Sequence, residues 1–166
     1  MRIHITGASG SGTSTLGRAL ADALGCAFLD GDDYYWIEAR PPFEHKRAPA
    51  LRAAQLRGDL SRHARSVLAG SIVGWDAEIE DAFDLIVFLR LDTALRVARL
   101  RAREIERFGV ADEAFLAWAA DYDGTPAEGR SLAKHRAWLA QRRCPVLELQ
   151  GDLSVAERVA AVRARL

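Results

Sequence analysis

The amino-acid sequence predicts an α/β fold, with a parallel sheet held between two helical layers. Three observations carry this. Short apolar runs alternate with stretches of helical periodicity along the whole chain. One run, Leu85-Ile86-Val87-Phe88-Leu89, is apolar without interruption, as a strand buried on both faces requires. A glycine-serine loop, Gly7 to Gly12, stands between the first strand and the first helix.

Met1 to Thr6 alternates as a short strand. After the loop, Leu16, Ala19, Leu20, Ala23 and Leu24 recur at helical spacing, and Gly25 stops that helix. Cys26 to Leu29 is a second apolar run, ended by Asp30-Gly31-Asp32-Asp33. Pro41-Pro42 and Pro49 mark a loop, and a helix is expected from about Ala50 to Ala64. Ser66 to Gly70 reads as the third strand and Leu85 to Leu89 as the fourth. Thr93 to Phe108 is an arginine-rich helix, and Asp112 to Ala120 and Ser131 to Gln141 are expected to be helical. Asp121 to Gly129 is the best candidate for a mobile loop. Pro145 to Leu149 is the last strand, and Val155 to Leu166 closes the chain as a helix with Ser154 as its N-cap.

The 166 residues suit one domain, 1–166. At 49% hydrophobic and 28% charged, the chain can bury a core and is neither disordered nor fibrous. Twenty-three basic residues balance twenty-three acidic ones, which argues against a protein that coats nucleic acid. No apolar stretch is long enough to span a bilayer, and the first residues lack a signal-peptide pattern. Cys26 and Cys144 make neither a disulfide framework nor a close-spaced metal pair. The expectation is a reduced, cytoplasmic protein. Lysine occurs only at Lys46 and Lys134, so 21 of the basic residues are arginine, which binds phosphate in a planar, two-pronged way.

Gly7-Ala8-Ser9-Gly10-Ser11-Gly12-Thr13-Ser14, followed by Thr15, has the spacing of a Walker A loop, G-x-x-x-x-G-K-[ST]. Glycines let the backbone wrap a phosphate with its N–H groups facing inward, and the next helix adds its positive end. Ser14 matches the hydroxyl position that binds Mg²⁺. The lysine of the pattern is Thr13 here, which removes a charge from the β- and γ-phosphates. An arginine elsewhere must supply it.

With these residues the chain resembles a P-loop small-molecule kinase, in the group that includes nucleoside monophosphate, shikimate, gluconate and uridine kinases. The lysine-free loop is similar to that of archaeal-type cytidylate kinases. The resemblance implies a three-layer P-loop NTPase fold: a five-stranded parallel sheet, helices on both faces and a small lid at about 99–131. It also implies ATP and Mg²⁺ as cofactors and a small-molecule acceptor as partner.

Asp30-Gly31-Asp32-Asp33-Tyr34-Tyr35-Trp36 ends the second strand, and ligands of parallel sheets lie beyond the carboxyl ends of strands. An acceptor hydroxyl needs a carboxylate to orient it and take its proton, and the metal needs acidic oxygens. Asp30 and Asp32 resemble the D-x-D of shikimate kinases and the D-G-D of gluconate kinases. Asp32-Asp33-Tyr34-Tyr35 equally resembles a segment of uridine and nicotinamide riboside kinases. Asp32 is favoured as the base, Asp33 stands close behind, and Asp30 joins Ser14 as a metal candidate. The competing reading is that the acids cap the next helix. Tyr34, Tyr35, Trp36, Phe43 and Trp75 either line an acceptor pocket or pack the loop on the core. Gly70 to Trp75 resembles the substrate loop of shikimate kinases. Arg40, Lys46 and Arg47 either hold an anionic group of the acceptor or face solvent.

Arg96, Arg99, Arg103 and Arg107 share one helical face. The segment from Arg99 to Gly109 is similar to the one leading into the lid of uridine kinases, which implies that Arg99 and Arg103 cover the transferring phosphate; Arg130 approaches from the other side. Gly151 to Ser154 falls where P-loop kinases wrap the adenine.

The reading is an ATP-dependent phosphotransferase acting on a small molecule, with a nucleoside or nucleotide favoured as acceptor. The alternative is an ATPase or a regulatory P-loop protein without kinase activity. A GTPase is disfavoured, because the chain has no [NT]-K-x-D motif. The state is left open between monomer and homodimer.

Overall fold

A computed structural model describes residues 1–38, 45–124 and 129–166. Five strands, β1 (Arg2–Gly7), β2 (Ala27–Asp30), β3 (Ser66–Ala69), β4 (Leu85–Arg90) and β5 (Val146–Gln150), form one sheet in the order β2-β3-β1-β4-β5. Every pairing is parallel; Ile3 lies opposite Val67 on one side and Leu85 on the other. The three-layer α/β fold with a five-stranded parallel sheet is therefore present as expected.

The period-two pattern of the strands divides the core. On one face Ile3, Ile5, Val67, Leu85, Val87 and Leu89 pack against Leu16 and Leu20 of helix α1 (Thr13–Leu24) and Val162 of α8 (Val155–Arg163). On the other, Leu29, Leu68 and Ile86 meet Leu56 and Leu60 of α3 (Pro49–Arg62), Ile79 of α4 (Ala77–Glu80) and Trp138 of α7 (Leu132–Leu139). Pro stands at the first position of α3, where its missing N–H costs nothing. Ser154 and Glu157 form a reciprocal capping box on α8.

Several boundaries differ from expectation. A five-residue helix, α2 (Gly31–Tyr35), begins directly from β2, and the short α4 carries no periodicity long enough to announce it. Helix α7 is shorter than Ser131 to Gln141 because the Ser131 side chain caps Lys134 and the chain turns after Leu139. Within the expected loop, Asp121–Asp123 forms a 3₁₀ turn; residues 125–128 lie outside the described ones.

Helix α5 (Thr93–Phe108) and α6 (Glu113–Ala120) form a separate small layer around Leu100, Leu116 and Ala119. Arg96, fully buried, fastens this layer to the sheet. It donates to the carbonyls of Leu91 at 3.2 Å and Ala119 at 3.1 Å, and pairs with Asp123 at 3.0 Å.

Candidate active site

The carboxyl ends of β1 and β2 bring the phosphate loop and the acidic turn to one edge of the sheet. Gly7 closes β1 where a Cβ would sit 2.7 Å from the Leu89 carbonyl and 2.7 Å from Ser11 Oγ, so only glycine fits. Gly10 and Gly12 turn the loop at φ of 81° and 92°, a left-handed backbone that favours glycine. Gly12 starts α1 without a side-chain cap, so the first turn, Thr13, Ser14 and Thr15, presents its N–H groups without that partner. Ser11 Oγ is buried and unpartnered. A cleft of about 680 Å³ opens beside the turn, lined by Gly10, Gly12 to Leu16, Arg99, Arg103, Asp152 to Val155 and Arg158.

This donor set fits a nucleotide polyphosphate. It also fits Mg²⁺ carried with the phosphates. Among the described residues no group of three acidic, histidine or cysteine side chains forms a metal cage, and Mg²⁺ commonly takes only one or two protein ligands beside phosphate and water.

The acids divide. Asp30 caps α2 by accepting from the Asp32 N–H at 3.2 Å and lies 3.9 Å from Arg18, so the capping alternative holds for Asp30. Asp32 and Asp33 sit in the first turn of α2. Desolvation, then the Asp30 charge, pushes the Asp32 carboxyl up from the ordinary carboxylate range, while Arg130 and Arg103 pull it down. Desolvation and Asp30 also push Asp33 up, but its opposing cation is Arg18. Asp32 therefore lies in the field of Arg130 and Arg103, and Asp33 in that of Arg18.

The four arginines of α5 have different fates. Arg96 is structural. Arg99 pairs with Asp152 across the cleft, between α5 and the turn after β5. Arg103 is half-exposed, 3.8 Å from Glu104, and close enough to act on Asp32. Arg107 is exposed on the last turn. Arg130 donates to Ser9 Oγ at 3.3 Å and lies over the Trp118 ring at 5.4 Å. Desolvation lowers its pKa, with Asp32 as the main opposing influence.

The aromatic residues separate too. Tyr34 joins the core, and its hydroxyl donates to Asp59 at 2.7 Å. Tyr35 and Trp75 stack at 6.2 Å between centroids, with the Arg52 guanidinium 4.8 Å from each. Arg52 Nε is buried and unpartnered. Trp36 meets Tyr35 edge-on, and Lys46 approaches the Tyr35 ring at 6.0 Å. Arg47 is spent on the backbone, donating to the carbonyls of Tyr34 at 3.0 Å and Trp36 at 3.2 Å. Arg40 and Phe43 lie outside the described residues. The turn Gly70 to Trp75 is held by Glu80, which accepts from the N–H groups of Gly74 at 2.6 Å and Trp75 at 3.2 Å.

Sequence reasoning passed over Arg158. This buried side chain of α8 donates to the Ser11 carbonyl at 2.8 Å and the Gly151 carbonyl at 3.2 Å, joining the phosphate loop to the turn after β5. The available signal was its place four residues before the core residue Val162, on the buried face of the helix. His135 was also passed over. Its Nδ1 lies 2.5 Å from the Tyr122 hydroxyl and its Nε2 3.4 Å from Ser71 Oγ.

No protein-family model matches the chain. Among solved structures, shikimate kinase from Acinetobacter baumannii in complex with shikimate superposes with a TM-score of 0.58 at 20% identity, over 99% of this chain and 90% of that one. A gluconokinase from Sinorhizobium meliloti 1021 superposes at 0.53 and 21% identity, over 99% and 91%. These likenesses establish the fold. A gluconokinase of Arabidopsis thaliana is 34% identical over 91 residues, 42% of this chain and 48% of that protein. YqaC of Bacillus subtilis (strain 168), itself uncharacterized, is 42% identical over 167 residues, 95% of this chain and 92% of YqaC. The chain thus belongs to the family of YqaC, built on the fold of the P-loop small-molecule kinases.

Proposed function

We propose that the protein transfers the γ-phosphoryl group of ATP to a hydroxyl of a small polar molecule. The observation that carries this is Asp32, in the first turn of α2 directly after β2, at the same end of the sheet as the phosphate loop, with the charges of Arg130 and Arg103 acting on it. The acceptor oxygen attacks the γ-phosphorus, the bond from that phosphorus to the bridging oxygen of ADP breaks, and the hydroxyl proton passes to Asp32. ADP and the phosphorylated acceptor leave. Gly7 to Thr15 bind the phosphates through backbone N–H groups. Ser14 and Asp30 are the residues that would hold Mg²⁺, which supplies charge neutralisation at the phosphates. Arg103 covers the phosphoryl group from the lid, and Arg99 and Asp152 close the far end of the cleft. Asp33, whose opposing cation is Arg18 and not a residue of the cleft, is not assigned the role of base.

The acceptor is assigned to the side of α2 where Tyr35, Trp75 and Arg52 stand together, next to Asp32. An unpaired guanidinium edge between two rings suits an anionic group, and the Arabidopsis relative is by name a gluconokinase. A small hydroxy acid is therefore the first reading. A nucleoside or nucleotide is the second, carried by the Tyr35 and Trp75 rings; Tyr34, in the core, no longer counts toward it. A panel of sugar acids, other hydroxy acids, nucleosides and nucleoside monophosphates, assayed for ADP with Mg²⁺ and ATP, tests both. Acceptor-dependent ADP from a hydroxy acid supports the first and from a nucleoside the second. ADP formed equally without acceptor makes the protein an ATPase.

A further inference from the structure

The phosphate loop lacks its lysine, and the described residues near it offer five arginines. Arg96 is satisfied by three carbonyl oxygens, Thr93 and Asp123. Arg99 is paired with Asp152. Arg158 is spent on two carbonyls. Arg103 lines the cleft from α5 but has the Glu104 carboxylate 3.8 Å away. Like Arg96 and Arg158, Arg130 touches the loop, but it does so through a side chain, Ser9 Oγ, with the Trp118 ring behind its guanidinium. Among the described residues it has no carboxylate within ion-pair distance. A part-buried cation that is hydrogen-bonded to a phosphate loop and has no counter-charge is an anion site.

We propose that Arg130 replaces the missing lysine, reaching from the segment before α7 to hold the terminal phosphate that lysine at position 13 would hold from α1. The inference rests on the reading of Gly7 to Ser14 as a nucleotide site. It adds that the cation has moved from the loop to the segment before α7, where one residue touches the donor loop and its charge acts on Asp32. A guanidinium there offers two parallel donors to phosphoryl oxygens, in a site where low dielectric strengthens each.

The test is the affinity ladder of AMP, ADP and ATP with Mg²⁺, measured by calorimetry on the wild type, Arg130→Gln, Arg130→Lys and the double variant Arg130→Gln/Thr13→Lys. Loss of a charge-assisted pair is worth about ten- to hundredfold in affinity. Arg130→Gln is expected to lose about that much for ATP while AMP binding holds, and Arg130→Lys to keep part of the preference. Thr13→Lys is expected to restore ATP affinity in the Arg130→Gln background, which a merely structural defect would not allow. Equal losses for all three nucleotides, or unchanged ATP affinity with only the acceptor KM raised, would overturn the proposal. A wild type that binds none of the three overturns the nucleotide-site reading beneath it, whereas a normal ladder without turnover leaves the role of Arg130 standing and removes the kinase reading alone.

Discussion

At the scale of single residues, the site depends on groups whose charge state the cleft controls. Asp32 is held above the ordinary carboxylate range chiefly by desolvation, with the Asp30 charge second. A base must be deprotonated to work, so activity is full above the raised value and falls as pH drops through it. The acid limb of kcat/KM is expected above the usual aspartate range, near 4. Arg130→Gln removes a cation that stabilises the Asp32 carboxylate and should move that limb further up. A limb at or below pH 4 in the wild type would show that Asp32 is not the base. Asp32, Ser14 and the loop glycines were legible in the sequence because their chemistry is tied to fixed spacing. Arg158, His135 and the true place of Arg96 were not. Their deciding contacts cross the fold: Arg158 reaches Ser11 over 147 positions, His135 reaches Ser71 over 64, and Arg96 reaches Ser9 over 87.

At the scale of elements, periodicity located the long helices and failed on the short ones. The arginine stripe of α5 is real as geometry, but one face of a 16-residue helix runs from core to solvent. The stripe therefore holds a buried anchor, an ion pair, a cleft residue and an exposed charge, which spacing cannot separate. Helix α4, with only four residues, does its work through Glu80. That carboxylate is buried, accepts from Trp138 Nε1 at 2.7 Å and from the Gly74–Trp75 backbone, and pairs with Arg142 at 3.2 Å. Glu80→Ala leaves a buried Arg142 and two backbone donors without this partner. The neighbouring Asp81, 3.1 Å from Arg142, offsets part of the loss. A cost of about 3 kcal/mol is expected in urea unfolding, together with a raised acceptor KM as Trp75 loses its hold. A variant as stable as wild type would mean that the turn is held by its apolar contacts alone.

At the scale of the whole molecule, two imidazoles are sealed beneath the sheet. Burial lowers His4 to about 4 and His135 to about 3. His4 gains a bond with the Gly70 carbonyl at 2.7 Å, while Arg130 and His4 press the same way as burial on His135. Both pKa values lie below the unfolded value near 6.5, so the unfolded chain takes up protons first. Their contribution to stability is complete above pH 6.5 and is lost as pH falls toward 4 and then 3, at about 1.4 kcal/mol per pH unit for each. Urea unfolding at pH 7.5 and 5 should show this decline; equal stability at the two pH values would contradict it. The α/β class and the strand positions followed from sequence because short apolar runs alternate with helical stretches, and β4, buried along its length, leaves an uninterrupted one. The strand order, with β1 central, did not, since nothing local encodes which strands are neighbours.

The central claim is that Asp32 serves phosphoryl transfer rather than nucleotide binding. It is tested most directly by comparing Asp32→Asn with the wild type in acceptor-dependent ADP release and in ATP affinity. The account predicts turnover lower by about 10²- to 10⁴-fold with ATP affinity little changed. Turnover that survives the substitution, or an equal collapse of ATP binding, would contradict it.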